Sequence, residues 1–219
     1  MEGVFVTGTD TGVGKTIVCA GLLKAIYGSK DVAYWKPVQT GTIVGDDTRE
    51  VKAMTHLPET CFRAPSYSFP DPVSPHMAAE KWGKTVELDT LMTDFKKSNQ
   101  FQIVEGAGGV LVPFNDTLLQ IEFIKQTGLG VIIVSQDRVG AINHTLLTLD
   151  ECRKVGIPVH GVILTRCRMT LGNGPVISKF GKVEVLATFT PTDDPKSLVA
   201  QVASNTRLRQ LFNVVPLPG

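Results

Sequence analysis

The sequence predicts an α/β fold, a single domain built on a parallel β-sheet flanked by helices. Two observations carry this. Short runs rich in β-branched and aromatic residues recur along the chain, and the stretches between them carry apolar residues at helical spacing. The runs are also almost continuously apolar, the pattern of strands covered by helices on both faces rather than on one. With 219 residues, 42% of them hydrophobic, the chain is long enough to bury a sizeable core around such a sheet.

The elements follow in order. Val4-Phe5-Val6 is the first strand and ends at Gly8, and the helical spacing then runs from Lys15 to Tyr27. Val32 to Trp35, Phe101 to Val104, Val131 to Val134, Val159 to Leu164 and Val183 to Leu186 are the further strands. Ala64 to Pro75 contains Pro65, Pro70, Pro72 and Pro75, so it is expected to be an ordered loop that could shape a pocket wall. The tail from Val214 to Gly219, ending Pro-Leu-Pro-Gly, is expected to be irregular. In parallel sheets ligands bind beyond the carboxyl ends of the strands, so functional residues are expected directly after each run.

Composition narrows the partners. The 22 basic and 21 acidic side chains leave a net charge of +1, which provides no bulk attraction for nucleic acid or for an anionic membrane surface. Small molecules are the expected partners. Cys19, Cys61, Cys152 and Cys167 are too widely spaced for a CxxC metal clip or a short disulfide framework, and reduced thiols in the cytoplasm fit best. Met1-Glu2-Gly3 runs straight into the first strand without the basic region of a secretory signal. No apolar run approaches the roughly 18 residues of a membrane helix.

Between the first strand and the first helix lies Gly8-Thr9-Asp10-Thr11-Gly12-Val13-Gly14-Lys15-Thr16. A glycine loop at this place presents backbone N–H groups and a helix N-terminus to phosphate oxygens. Gly12 and Gly14 allow the backbone its close approach, Lys15 would neutralise the β and γ phosphates, and the Thr16 hydroxyl would ligate Mg²⁺. This makes the fold one of the P-loop NTPase type, binding a nucleoside triphosphate. The spacing is unusual: five residues separate Gly8 from Gly14, where the common GxxxxGK[ST] pattern has four.

Other strands deliver partners to the same edge. Phe101-Gln102-Ile103-Val104 ends in Glu105 and a second glycine loop, Gly106-Ala107-Gly108-Gly109. A carboxylate there is costly to bury unpaired, so Glu105 is a candidate Mg²⁺ ligand, and the loop amides could receive phosphate or substrate. The second strand runs into Lys36 and Thr40, and Lys36 would face the phosphates. Asp46 and Asp47 precede a helix beginning near Thr48; either could cap it, and Asp47 is preferred as the metal ligand. Val139-Gly140-Ala141-Ile142-Asn143-His144 begins another helix, whose free N–H groups suit a carboxylate.

Taken together, GTDTGVGKT, KPVQTG, DPVSPH, VEGAGG and VGAINH, in that order, resemble the dethiobiotin synthetase family over roughly residues 4 to 165. The extra loop residue is that family's own form of the phosphate loop. The resemblance implies ATP-dependent carboxylation and ring closure of 7,8-diaminononanoate with CO₂, through a carbamate and a carbamic–phosphoric anhydride, with Mg²⁺ as cofactor. It implies Lys36 and Lys15 as catalytic residues and Thr16, Asp47 and Glu105 as Mg²⁺ ligands. Nucleotide contacts fall on Gly12, Val13, Gly14, Lys15, Thr16, Ile17, Asp47, Glu105, Gly106, Ala107 and Gly108, and at the base end on Thr165, Arg166 and Pro191. Thr40, Gly109, Gly140 and Asn143 take the substrate side, the last two across the interface of a homodimer.

At the base end many family members carry an Asn where this chain has Thr165. A threonine offers one hydroxyl where asparagine offers a donor and an acceptor, so discrimination among triphosphates is expected to be loose. The alternative class is a P-loop switch ATPase of the partitioning or scaffold type. Those proteins place a signature lysine early in the loop, where this chain has Thr9.

Overall fold

The computed structural model describes residues 2–165, 171–189 and 194–214. The first expected unit is present as β1 (Gly3–Gly8), the glycine loop and α1 (Lys15–Ile26). β2 (Val32–Trp35) and the short β3 (Val38–Gln39) lead to α2 (Asp47–Thr55), β4 (Phe62–Arg63) and β5 (Tyr67–Ser68). Two helices, α3 (Pro75–Lys81) and α4 (Leu88–Lys96), precede β6 (Phe101–Gly109). Strand and helix then alternate: α5 (Gln120–Thr127), β7 (Val131–Gln136), α6 (Ala141–Lys154), β8 (Val159–Thr165), α7 (Gly174–Gly181) and β9 (Val185–Thr188). α8 (Pro195–Ser204) and α9 (Thr206–Leu211) close the described chain.

Seven strands form one sheet in the order β4-β2-β6-β1-β7-β8-β9, every neighbouring pair parallel. Alternate residues of each strand enter opposite cores. Val4, Val6, Tyr34, Ile103, Ile132 and Val134 pack with α1 and α8 on one face. Phe5, Trp35, Val104, Val131 and Ile133 pack with α4, α5 and α6 on the other. Burial on both faces is why these strands read as continuous apolar runs.

Strand bounds differ from the sequence expectation in several places, and β6 runs on to Gly109 through the glycine stretch expected as a loop. β4 is only two residues long and too short for a periodic signal, yet it forms the sheet edge beside β2. The last strand begins at Val185, not Val183, because Lys182 caps α7 in the left-handed conformation at φ 45° and the Val183 N–H still bonds back to Ser178. The proline-rich stretch is largely loop, with β5 paired in parallel to β3 beside the main sheet. Cys19, Cys61 and Cys152 are buried free thiols, and Cys167 lies outside the described residues. Among the described residues no helix is long and apolar enough to cross a membrane.

Candidate active site

The carboxyl ends of β1, β2 and β6 open into a cleft of about 530 Å³. Its floor is the glycine loop, with Gly12, Gly14, Lys15 and Thr16 lining it, and Pro72 to Pro75 of the proline-rich segment form one wall. The loop needs glycine for a geometric reason. Gly14 sits at φ 100°, outside the range comfortable for other residues, and a Cβ there would come within 2.9 Å of the Thr165 hydroxyl.

Four side chains converge on one point of the cleft. Lys36, placed just past β2 and only 5% exposed, has its ammonium 2.8 Å from Asp47 Oδ2 and 3.0 Å from Glu105 Oε1, and donates to the Gly106 carbonyl at 3.1 Å. The Thr16 hydroxyl lies 3.0 Å from Asp47 Oδ1 and 3.1 Å from Glu105 Oε1. Glu105 is 1% exposed, and a carboxylate buried to this degree needs partners of this kind. Burial opposes the Lys36 charge, but the carboxylates of Glu105 and Asp47 outweigh it and hold Lys36 above the ordinary lysine value. For Asp47 too burial works against the charge, and Lys36 reverses it, leaving the carboxyl below its usual range. Lys15 behaves differently. Burial, and secondly the charge of Lys36, lowers it to about 8, and its ammonium donates to the Asp10 carbonyl at 2.9 Å.

The two adjacent aspartates divide their tasks. Asp46 is the N-cap of α2 and accepts from the Arg49 N–H at 3.0 Å. Asp47, the first residue of the helix, turns into the cleft.

The donor set suits a small hard cation. Thr16, Asp47 and Glu105 offer only oxygens, and among the described residues there is no group of three or more His, Cys, Asp or Glu that could enclose a metal by itself. Two carboxylates and a hydroxyl, completed by phosphate and water oxygens, are what Mg²⁺ commonly takes.

Thr40, Ala107 and Gly108 also line the cleft, while Gly109 lies behind them, paired with Gly8 of β1. Gly140 and Asn143 are not brought to it. They lie exposed at the start of α6, where Gly140 is the N-cap. Val13 is buried beneath the glycine loop, and its carbonyl accepts a bond from the Thr165 hydroxyl at the end of β8. Ile17 and Thr165 line a small apolar recess with Gly14, Phe189, Leu198 and Val202. Arg166 and Pro191 lie outside the described residues.

Three residues escaped the sequence reading. Gln120, fully buried on α5, accepts from the Ala107 N–H at 2.7 Å and donates to the Gly109 carbonyl at 2.9 Å, bracing the second glycine loop at both ends. A Cβ on Gly106 would come within 2.9 Å of its amide oxygen, which accounts for that glycine. Gln39 accepts from the Asp47 N–H at 3.2 Å and so sets the start of α2. Tyr34, in the middle of β2, donates its hydroxyl to Glu105 Oε2 at 2.9 Å. Only Tyr34 carried a signal, a phenol within an apolar strand that must find a partner.

A glycine loop between β1 and α1, a lysine and hydroxyl at its end, and two carboxylates facing them define a P-loop protein that binds a nucleoside triphosphate. A family model described as "AAA domain" matches residues 2–196. The chain is 38% identical to the ATP-dependent dethiobiotin synthetase BioD of Paramagnetospirillum magneticum, over 87% of this chain and 89% of that one. It is 36% identical to the protein of the same name from Lawsonia intracellularis, over 96% of this chain and 98% of that one. The chain belongs to the ATP-dependent dethiobiotin synthetase family. Among solved structures, a ParA family ATPase from Chlorobium tepidum superimposes with a TM-score of 0.58 at 15% identity, covering 95% of each chain. The MinC:MinD cell division complex of Aquifex aeolicus gives the same score and identity over 100% of this chain and 99% of that one. At that identity the likeness shows a shared fold.

Proposed function

We propose that this chain, acting as one domain over residues 1–219, carboxylates 7,8-diaminononanoate with CO₂ and closes the ureido ring of dethiobiotin at the expense of ATP. The observation that supports it most is the convergence beside the phosphate loop of Asp47 and Glu105, each of which lies 2.8–3.1 Å from both the Lys36 ammonium and the Thr16 hydroxyl. One amine of the diamine adds to CO₂ and loses a proton, giving a carbamate. A carbamate oxygen attacks the γ-phosphorus and ADP departs, leaving a carbamic–phosphoric anhydride. The second amine then attacks the carbonyl carbon, the C–O bond to phosphate breaks, and the ring closes with release of phosphate.

Anions meet in this sequence, so its chief requirements are positioning and charge neutralisation rather than a strong base. Lys36 fits the first requirement as much as the second, because its carboxylate partners fix the ammonium and keep it charged. Lys15 holds the phosphate side. Mg²⁺, held by Thr16, Asp47 and Glu105, would supply further neutralisation to the β and γ phosphates. Gly108 offers its backbone amide to phosphate beside Ala107, whose own N–H is held by Gln120, and Thr40 offers its hydroxyl to the substrate.

The substrate carboxylate is assigned to the start of α6 in a second copy of the chain. Exposure of Gly140 and Asn143 outside their own cleft supports this, as do the neighbouring apolar side chains Val139 and Leu147, 85% and 56% exposed. The working state is then a homodimer in the cytoplasm, with neither nucleic acid nor membrane as partner. Incubation with diaminononanoate, bicarbonate, Mg²⁺ and ATP tests the activity: phosphate release should depend on the diamine, and release that ignores it would exclude this reaction. The switch-ATPase alternative loses ground at Thr9. Its hydroxyl bonds to Ser135, which also receives Thr145, so the position of the signature lysine is taken up by a hydroxyl cluster.

A further inference from the structure

The two oxygens of Glu105 face different surroundings. Oε1 is turned to the cleft, where Thr16 and Lys36 donate to it. Oε2 is turned to the core and accepts from the Tyr34 hydroxyl at 2.9 Å. This follows from strand register. Tyr34 of β2 lies opposite Ile103 of β6, and Glu105 is the next residue of β6 on the same face. A tyrosine side chain reaches such a diagonal neighbour. Tyr34 belongs to the core on the α1 face of the sheet and is wholly inaccessible, so the hydroxyl has little freedom to point elsewhere.

A carboxylate oxygen held in this way is turned toward the core, so the group presents its other oxygen to a cation in the cleft. Mg²⁺ requires near-octahedral coordination and takes one oxygen from each carboxylate, whereas Ca²⁺ is larger and readily accepts both. We propose that Tyr34 is a positioning residue that presents Glu105 through Oε1 alone, and that this makes the site select Mg²⁺ over Ca²⁺. The inference rests on Glu105 being a metal ligand. Nothing in the phosphate-loop pattern asks for a phenol on β2, so this contribution comes from the packed core below the cleft.

Calorimetric titration of the full chain with Mg²⁺·ADP, Ca²⁺·ADP and metal-free ADP tests it by binding alone. In Tyr34→Phe the carboxylate is free to turn, so the preference for Mg²⁺ over Ca²⁺ should shrink roughly tenfold, the usual scale for removing a group that orients a metal ligand. Metal-free ADP should bind as before. An unchanged ratio overturns the proposal, and so does equal weakening of both metals, which is what general loosening would produce. Should Tyr34→Phe fail to fold, 3-fluorotyrosine at position 34 keeps the shape and donates more strongly. The ratio then widens, and a ratio that stays put overturns the proposal equally. Glu105→Gln separates the underlying assumption: if it binds both metal complexes like the parent, Glu105 is no ligand; if it loses them while Tyr34→Phe keeps the ratio, only the role of Tyr34 falls.

Discussion

At the phosphate end of the cleft, Lys36, Asp47, Glu105 and Thr16 share one network in which nearly every polar atom has a charged partner. In a separate small recess where β8 and β9 finish, the described walls are Ile17, Phe189, Leu198 and Val202, and the hydroxyl of Thr165 is donated to the backbone of the phosphate loop. One end is built from charge held in fixed geometry; among the described residues the other offers apolar surface and the Thr165 hydroxyl. Chemistry that depends on phosphate should therefore be sensitive to single atoms. Recognition that depends on the base should be tolerant.

The sharpest test of the phosphate end is Lys36→Ala. Removing a buried ammonium that faces developing negative charge should lower kcat by about 10³-fold or more. It also leaves Asp47 and Glu105 without their cation, so Tm should fall as well. Steady-state kinetics and thermal unfolding read the two effects separately. Full turnover in a folded variant would remove Lys36 from the catalytic machinery.

Lys15 offers a comparison within the same end, because burial lowers its pKa to about 8 from the ordinary 10.5. Between those values the unfolded chain binds a proton that the folded, nucleotide-free protein has released. Stability therefore rises with pH across this window, and below it the full penalty of a buried ammonium is present. Lys15→Met lacks the group. Its advantage in unfolding free energy over the parent should be on the order of 3 kcal/mol at pH 7 and should shrink steadily from about pH 8 to pH 10. Denaturation of both proteins without nucleotide measures the difference, and a gap independent of pH would show that Lys15 is not desolvated.

How much of this was legible in the sequence also differs between the two ends. Glycine loops, Lys36 and Glu105 stand directly after apolar strands, and the carboxyl edge of a parallel sheet gathers whatever follows its strands. Their meeting was thus readable from order alone. Sequence favoured Asp47 over Asp46 for the metal but could not fix which of them caps, because capping depends on which residue begins the helix, and that is set partly by Gln39 eight positions earlier. Gln120 was invisible as a site residue for a related reason, and Tyr34 showed only as a phenol in need of some partner. Each acts from a different element through a contact that only tertiary packing creates. Two-residue strands such as β4 are too short for any period, and the start of β9 was displaced by a helix cap no apolar count records. At the base end Arg166 and Pro191 remain readings of sequence.

Tolerance at the base end has a direct measure. CTP, GTP and UTP should support turnover within about tenfold of ATP, a difference of roughly 1.4 kcal/mol in transition-state binding. Apolar contact accepts any of the four bases, whereas strong rejection needs buried hydrogen-bonding groups left unpaired by the wrong one. Steady-state rates with each nucleotide decide it, and strict dependence on ATP would mean that the base is read by polar groups.

Thr165→Val gives the smallest effect and the finest distinction. It keeps the shape but removes the hydroxyl that donates to the Val13 carbonyl, leaving a buried acceptor without that partner. A brace of this kind is worth about 1 kcal/mol, so Tm should drop by a few degrees and KM for every triphosphate should rise by the same small factor as the loop loosens. A residue that reads the base behaves otherwise: its loss changes the ratio of ATP to CTP or GTP turnover. An unchanged ratio with a lowered Tm makes Thr165 part of the phosphate end, reaching under the loop from β8. A shifted ratio with unchanged stability would return it to the base.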